Sequence, residues 1–138
     1  MITIKSQPQD SHSIDEFNRL TANLLSYLYD VFPIMALVRA KDFYNNVEPV
    51  SLAYMVGTMK FLNDEGFIKI GGEAGGGDLY MGVQLTSKGL AVLNKVPDAL
   101  GKGPTVGDKI KAALKVGSKE VLKEAVKTLV SESIKLSL

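Results

Sequence analysis

Apolar residues recur along this chain at two distinct periods, and the changes of period mark out its elements. Phe17, Leu20, Leu24, Leu28 and Val31 fall three or four residues apart, the spacing that gathers side chains on one face of an α-helix. Ser13-Ile14-Asp15-Glu16 precedes that stripe as a capping box: Ser13 can accept from the Glu16 N–H while Glu16 reaches back to the Ser13 N–H. Pro33 predicts the helix end. Residues 34–38 then read as a short strand, 39–44 as a brief helix, and Asn45-Asn46 as a turn.

Pro49 suits the first turn of a second long helix, where its missing N–H costs nothing. That helix is expected to run to Glu65, stop at a left-handed Gly66, and bury Leu52, Met55, Val56, Met59 and Leu62. Residues 67–70 form a candidate strand, and the glycine-rich segment 71–77 a flexible tip. Residues 78–85 return with Leu79, Met81, Val83 and Leu85 alternating onto one face. Thr86 is placed to cap a helix carrying Leu90 and Leu93 that ends near Lys95.

Beyond Lys95 the character changes. Pro97, Gly101, Gly103, Pro104 and Gly107 punctuate residues 96–108, the composition of a linker. Residues 109–138 return to a helical pattern, broken at Gly117-Ser118 with Ser118 as a new N-cap. The predicted organisation is a domain over 1–95, a linker over 96–108, and an amphipathic helical segment over 109–138.

Composition narrows the chemistry. The chain has 138 residues, enough for roughly one domain, with 16 Lys and Arg against 15 Asp and Glu. The balance is uneven: residues 1–95 hold 8 basic and 10 acidic side chains, residues 96–138 hold 8 and 5. There is no cysteine, which excludes disulfides, thiolate metal sites and Cys nucleophiles. His12 is the sole histidine, so a two-His metal site cannot form within one chain; its polar surroundings read as a solvated entry loop. MITIKSQPQDSHS lacks the apolar stretch of a signal peptide, and the longest apolar run, 31–38, is interrupted by Pro33. A cytoplasmic protein with no membrane span is the expectation.

Three stretches stand in a recognisable order: Phe32-Pro33 closing the first helix, Met59-x-x-Leu62-x-x-x-Gly66-Phe67-Ile68 leaving the second long one, and Leu85-Thr86-Ser87-Lys88-Gly89 after the hairpin. Over residues 13–95 this resembles the winged helix-turn-helix superfamily, in the arrangement of MarR- and PadR-like regulators. The resemblance implies an α+β, mostly helical fold with a β-hairpin wing, extended here by C-terminal helices. It also implies a reading helix over 50–65 that enters the DNA major groove, a wing that touches phosphates, and dimerisation through terminal helices.

The residues of that helix depart from a DNA-reading pattern. At 100° per residue, the side opposite its apolar stripe presents Val50, Ala53, Tyr54, Gly57, Phe61 and Asp64, with Ser51, Thr58 and Lys60 at the flanks. The hairpin holds Glu73 and Asp78, with no Lys or Arg between Lys69 and Lys88. Phosphate neutralisation supplies most DNA affinity, so this hairpin would repel a duplex. The sequence therefore supports a binding module that recognises a protein partner through Val50, Tyr54, Gly57 and Phe61. A bland alternative has Tyr54 and Phe61 packing under the short helix and N-terminal arm. The other function class is a DNA-binding regulator using Ser51, Tyr54, Thr58 and Lys60, with Lys111, Lys115 and Lys119 of the tail gripping phosphate.

In the tail, Lys111, Lys115, Lys119, Lys123 and Lys127 recur every four residues opposite Ile110, Leu114, Val121, Leu122, Ala125, Val126, Leu129 and Val130. Such a helix can dock on its own domain, pair in a homodimer, lie on a membrane surface or contact nucleic acid; self-association as a homodimer through these helices is the expectation. Neither glycine-rich stretch fits a P-loop, because Asp follows Gly77 and Gly107 where Lys is needed. Asp15-Glu16 and Asp64-Glu65 sit at helix termini and diverge by about 100°. No constellation for catalysis and no cofactor is indicated.

Overall fold

The computed structural model describes residues 12–136, without the His12 side chain. Five α-helices, a one-turn 3-10 helix and four short strands follow in the order α1 (His12–Val31), β1 (Ala36–Arg39), the 3-10 turn (Ala40–Asp42), α2 (Pro49–Asp64), β2 (Ile68–Lys69), β3 (Gly72–Ala74), β4 (Leu79–Leu85), α3 (Ser87–Asn94), α4 (Val106–Val116) and α5 (Lys119–Leu136). The protein is α+β, helices packed with a small antiparallel sheet.

α1 is the hub. Leu20, Ala22, Leu24, Leu25 and Leu28 are all buried, because α2, α4, α5 and β4 pack around this one helix. It begins at His12, so His12 opens a helix rather than standing in an entry loop, and Ser13 lies inside the first turn. Glu16 engages Arg19 at 2.8 Å and accepts from the Tyr44 hydroxyl at 2.7 Å. Those contacts tie the segment after the 3-10 turn to α1.

The sheet has the order β1-β4-β2, with β3 also paired to β4. β2 and β3 share one pairing with β4, Ile68 opposite Leu85 and Gly72 opposite Met81. Part of the glycine-rich segment is thus strand, and the tip narrows to Gly75–Gly77. β4 does not alternate cleanly. Ala36 pairs with Val83 but Val38 with Tyr80, so β4 carries one extra residue between them. Gly82 absorbs that bulge at φ 61°, a left-handed conformation open to glycine. The phase therefore flips: Tyr80, Val83 and Leu85 are buried, and Met81, expected inside, is exposed.

α2 starts and stops where Pro49 and Gly66 predict. Its buried face is rotated from the expected one, comprising Ser51, Met55, Thr58, Met59 and Leu62, while Val56 is exposed. α3 is capped by the Thr86 hydroxyl, which accepts from the Gly89 N–H. α4 begins three residues before the expected start, inside the predicted linker. Thr105 and Asp108 form a reciprocal capping box there.

The two C-terminal helices pack on α1, on α3 and on each other. Val106, Ile110, Ala113, Leu122, Ala125, Val126 and Leu129 join the same core as Leu20, Leu25 and Leu28. Polar ties run alongside: Lys111 to Asp30 at 2.6 Å, Lys119 to Asp15 at 3.6 Å, and the buried Glu132 to Lys95 and Lys135 at 3.0 and 2.9 Å. Most of the apolar stripe of the tail is thus occupied within its own chain, with Val121 left exposed. Among the described residues, no helix is long and apolar enough to cross a membrane.

Candidate functional site

The sequence singled out the outer face of α2, and the structure brings only part of that set to the surface. Gly57 and Phe61 are exposed, Phe61 at 39%. Val50 and Tyr54 are half-buried, and Tyr54 packs against the core. Phe61 also leans on α1: its ring meets Phe17 edge to face, centroids 5.3 Å apart. That position combines core packing with exposure. Val56, assigned to the core by its spacing, is 43% exposed and belongs to this face. The resulting stripe runs from Ala53 through Val56, Gly57, Lys60 and Phe61 to Asp64.

Two of the candidate DNA contacts do not point outward. Ser51 and Thr58 are buried at 4% and 5%, a correction to their placement on the flanks. Ser51 is spent at the helix start, where its hydroxyl accepts the Glu48 N–H at 3.2 Å. Sorting by hydropathy set both outside the buried face, whereas a hydroxyl that is hydrogen-bonded, as that of Ser51 is, is readily buried. Lys60 is exposed but pairs with Asp64 one turn on, at 2.9 Å. Lys111 and Lys119 hold the C-terminal helices to α1, as described above, and Lys115 is exposed on α4. The face of α2 is therefore close to neutral.

Gly57 gives that face its shape. A β-carbon there would meet nothing within 4 Å, and glycine in a helix interior costs about 1 kcal/mol relative to alanine. Nothing inside the protein demands it. Seen from outside, Gly57 is a flat step between Val56, Lys60 and Phe61 at which another molecule can approach the helix backbone.

The hairpin folds back toward α2 rather than standing clear of it. Between them lies a cleft of about 380 Å³ lined by Val56, Lys60, Asn63, Asp64, Glu73 and Tyr80 among others. Burial, with the Glu73 charge adding to it, pushes the Tyr80 phenol above its ordinary value. With Glu73, Asp64 and an uncharged phenol against one lysine, this cleft favours cations or hydrogen-bond donors over phosphate.

A second groove, about 450 Å³, separates α1 from β1 and the 3-10 turn, lined by Arg19, Asn23, Tyr27, Leu37 and Phe43 among others. At one end, the Arg19 guanidinium donates to Glu16 and to the Phe43 carbonyl and stacks on Tyr44 at 4.9 Å. Burial and the Glu16 carboxylate push the Tyr44 phenol well up, so it remains a neutral donor. Sequence reasoning did not find this groove; Leu37 and Val38 on its wall lie in the apolar segment 34–38, read only as a short strand. No protein-family model, curated protein or solved structure matches this chain.

Proposed function

We propose that this protein is a non-enzymatic winged-helix binding module that recognises a protein partner through the outer face of α2. The single observation that carries the reading is Gly57: a helix-interior glycine at the centre of an exposed, near-neutral stripe, with open space around it and Val56 and Phe61 beside it. Interface cores favour apolar and aromatic residues, and Val56 and Phe61 beside Gly57 supply such a centre, with the mutually paired Lys60 and Asp64 at its edge. The antiparallel order β1-β4-β2 and the helix ahead of the hairpin support the winged-helix part of the proposal. The regulator reading has fewer donors to draw on, since Ser51 and Thr58 are buried and Lys60, Lys111 and Lys119 sit in ion pairs. The acids Asp15, Asp30, Asp64 and Glu132 are likewise dispersed as ion-pair partners, which fits a binding module better than an enzyme.

The test uses the full chain. Gly57→Arg is compared with wild type for capture of a discrete protein from cell extract, and both are titrated with random duplex DNA across a salt series. The expected result is one protein retained by wild type and lost in the variant, with no DNA binding at low salt. DNA affinity that falls steeply with salt and rises in Gly57→Arg would replace this reading with the regulator.

A further inference from the structure

We infer that β1 is the self-association edge of the protein, and that two copies pair their β1 strands antiparallel across a two-fold axis at Leu37. β1 closes one side of the sheet, with β4 as its sole neighbour in the strand order. The Ala40 N–H points inward to the Asp78 carbonyl, while the Arg39 N–H points outward to the Asp42 carboxylate at 3.1 Å. By strand alternation, Leu37 and Met35 direct their backbone groups to the same open side as Arg39.

Edge strands of monomers are ordinarily guarded by charge, proline, a bulge or a covering element. Here residues 34–38 carry no charge, and the guards stand at the ends: Pro33 before the strand, and Arg39, Lys41 and the Asp42 cap at its close. The opening is short and bounded, which fixes a register. A two-fold at Leu37 sets Leu37 against its own copy and makes the same patch serve both partners.

The side chains around the edge are apolar and unpartnered in the monomer. Ile34 is 70% exposed, Met35 64% and Leu37 47%, with Tyr27, Phe32 and Met81 also exposed. The bulge at Gly82 is what turns Met81 outward, opposite Leu37. Six such side chains exposing on the order of 100 Å² each give about 600 Å² per copy, near the roughly 800 Å² per partner of a standard interface. Backbone pairing and the flanking α1 surface supply the rest. Residues 31–38 carry no charge, so the centre of the contact desolvates no ion, and the exposed charges of Arg39 and Asp42 lie at its ends. In the C-terminal helices, which the resemblance implies as the pairing elements, Ile110, Leu122, Ala125, Val126 and Leu129 are buried within the chain, while Val121 stays exposed.

Full-length protein is sized by light scattering from about 1 to 200 µM, a range that reveals mass action. The comparison set is wild type, Leu37→Lys and Ile134→Lys, the last on the exposed side of α5. The expected result is a wild-type species approaching twice the 14.9 kDa chain mass, a monomeric Leu37→Lys and a dimeric Ile134→Lys. Wild type that stays monomeric overturns the inference, as does a dimer that survives Leu37→Lys. Should Leu37→Lys fail to fold, hydrogen exchange on wild type decides: the Leu37 amide should slow at least tenfold across the series, and a rate independent of concentration overturns the pairing. Loss of partner capture at Gly57 is read separately, so the two proposals fail independently.

Discussion

Gly77, at the hairpin tip, stands directly against Val56 of α2: a β-carbon on Gly77 would lie 2.6 Å from Val56 Cγ2 and 3.2 Å from the Leu52 carbonyl oxygen. Its φ of 107° adds a backbone conformation that other residues rarely adopt. The tip is clasped onto the helix, and the clasp depends on a missing side chain. Gly77→Ala combines backbone strain with a steric clash and is expected to cost about 2–4 kcal/mol. Urea unfolding measures it, with m unchanged. A loss below about 0.5 kcal/mol would mean that the tip does not rest on α2 in solution.

Glu132 is the buried acid of the C-terminal pair, held between Lys95 at the end of α3 and Lys135 of α5. Hydrogen bonds from Lys135 and then Lys95 hold its carboxyl below the ordinary glutamate value. A depressed carboxyl stabilises the fold above its unfolded pKa of about 4.3 and stops doing so as pH falls through the lower folded value. Glu132→Gln removes this contribution. The melting temperatures of wild type and Glu132→Gln should differ most near neutral pH and converge as pH falls below the ordinary glutamate range and through the lowered folded value. A constant gap across that range would show that Glu132 acts through packing alone.

Phe17 and Phe61 form an aromatic link between α1 and the outer face of α2. Edge-to-face pairs contribute about 0.5–1.5 kcal/mol beyond their burial. A double-mutant cycle with Phe17→Leu and Phe61→Leu is therefore expected to return a coupling near 1 kcal/mol. Coupling indistinguishable from zero would place Phe61 fully on the surface and leave it free for a partner. The intermediate exposure of Phe61 fits a residue that a partner would cover without creating it anew.

The helices were legible because their punctuation is local: Pro49, Gly66 and Thr86 act within a turn of where they stand, and each appears in its expected role. What was hidden depends on contacts distant in sequence. Alternation along 79–85 assumes an unbroken pleat, and the Gly82 bulge, fixed by the register of β1, reverses it for Tyr80 and Met81. The glycines at 101, 103 and 107 read as linker, yet Gly107 lies in the first turn of α4, where a β-carbon would sit 3.1 Å from the Leu93 carbonyl. Close packing of α4 on α3 uses that glycine, and no local pattern announces it. The lysine ladder of the tail was equally mute about what it faces, since Lys111 and Lys119 find their acids on α1, more than eighty residues away in sequence.

Gly57 separates a structural role from a binding role with a single methyl group. In a helix interior, alanine is favoured over glycine by about 0.5–1 kcal/mol, through reduced freedom of the unfolded chain and better cover of the backbone. Because a β-carbon at Gly57 meets nothing within 4 Å, no clash offsets that gain. Gly57→Ala should therefore raise the unfolding free energy by about 0.5–1 kcal/mol in urea titration. If a partner backbone seats on the step between Val56 and Phe61, the same methyl intrudes into the contact and weakens capture while the protein itself becomes more stable. Opposite signs in the two measurements are the expected outcome. Stabilisation with capture unchanged would move the partner's contact away from Gly57. Destabilisation would contradict the open space around it.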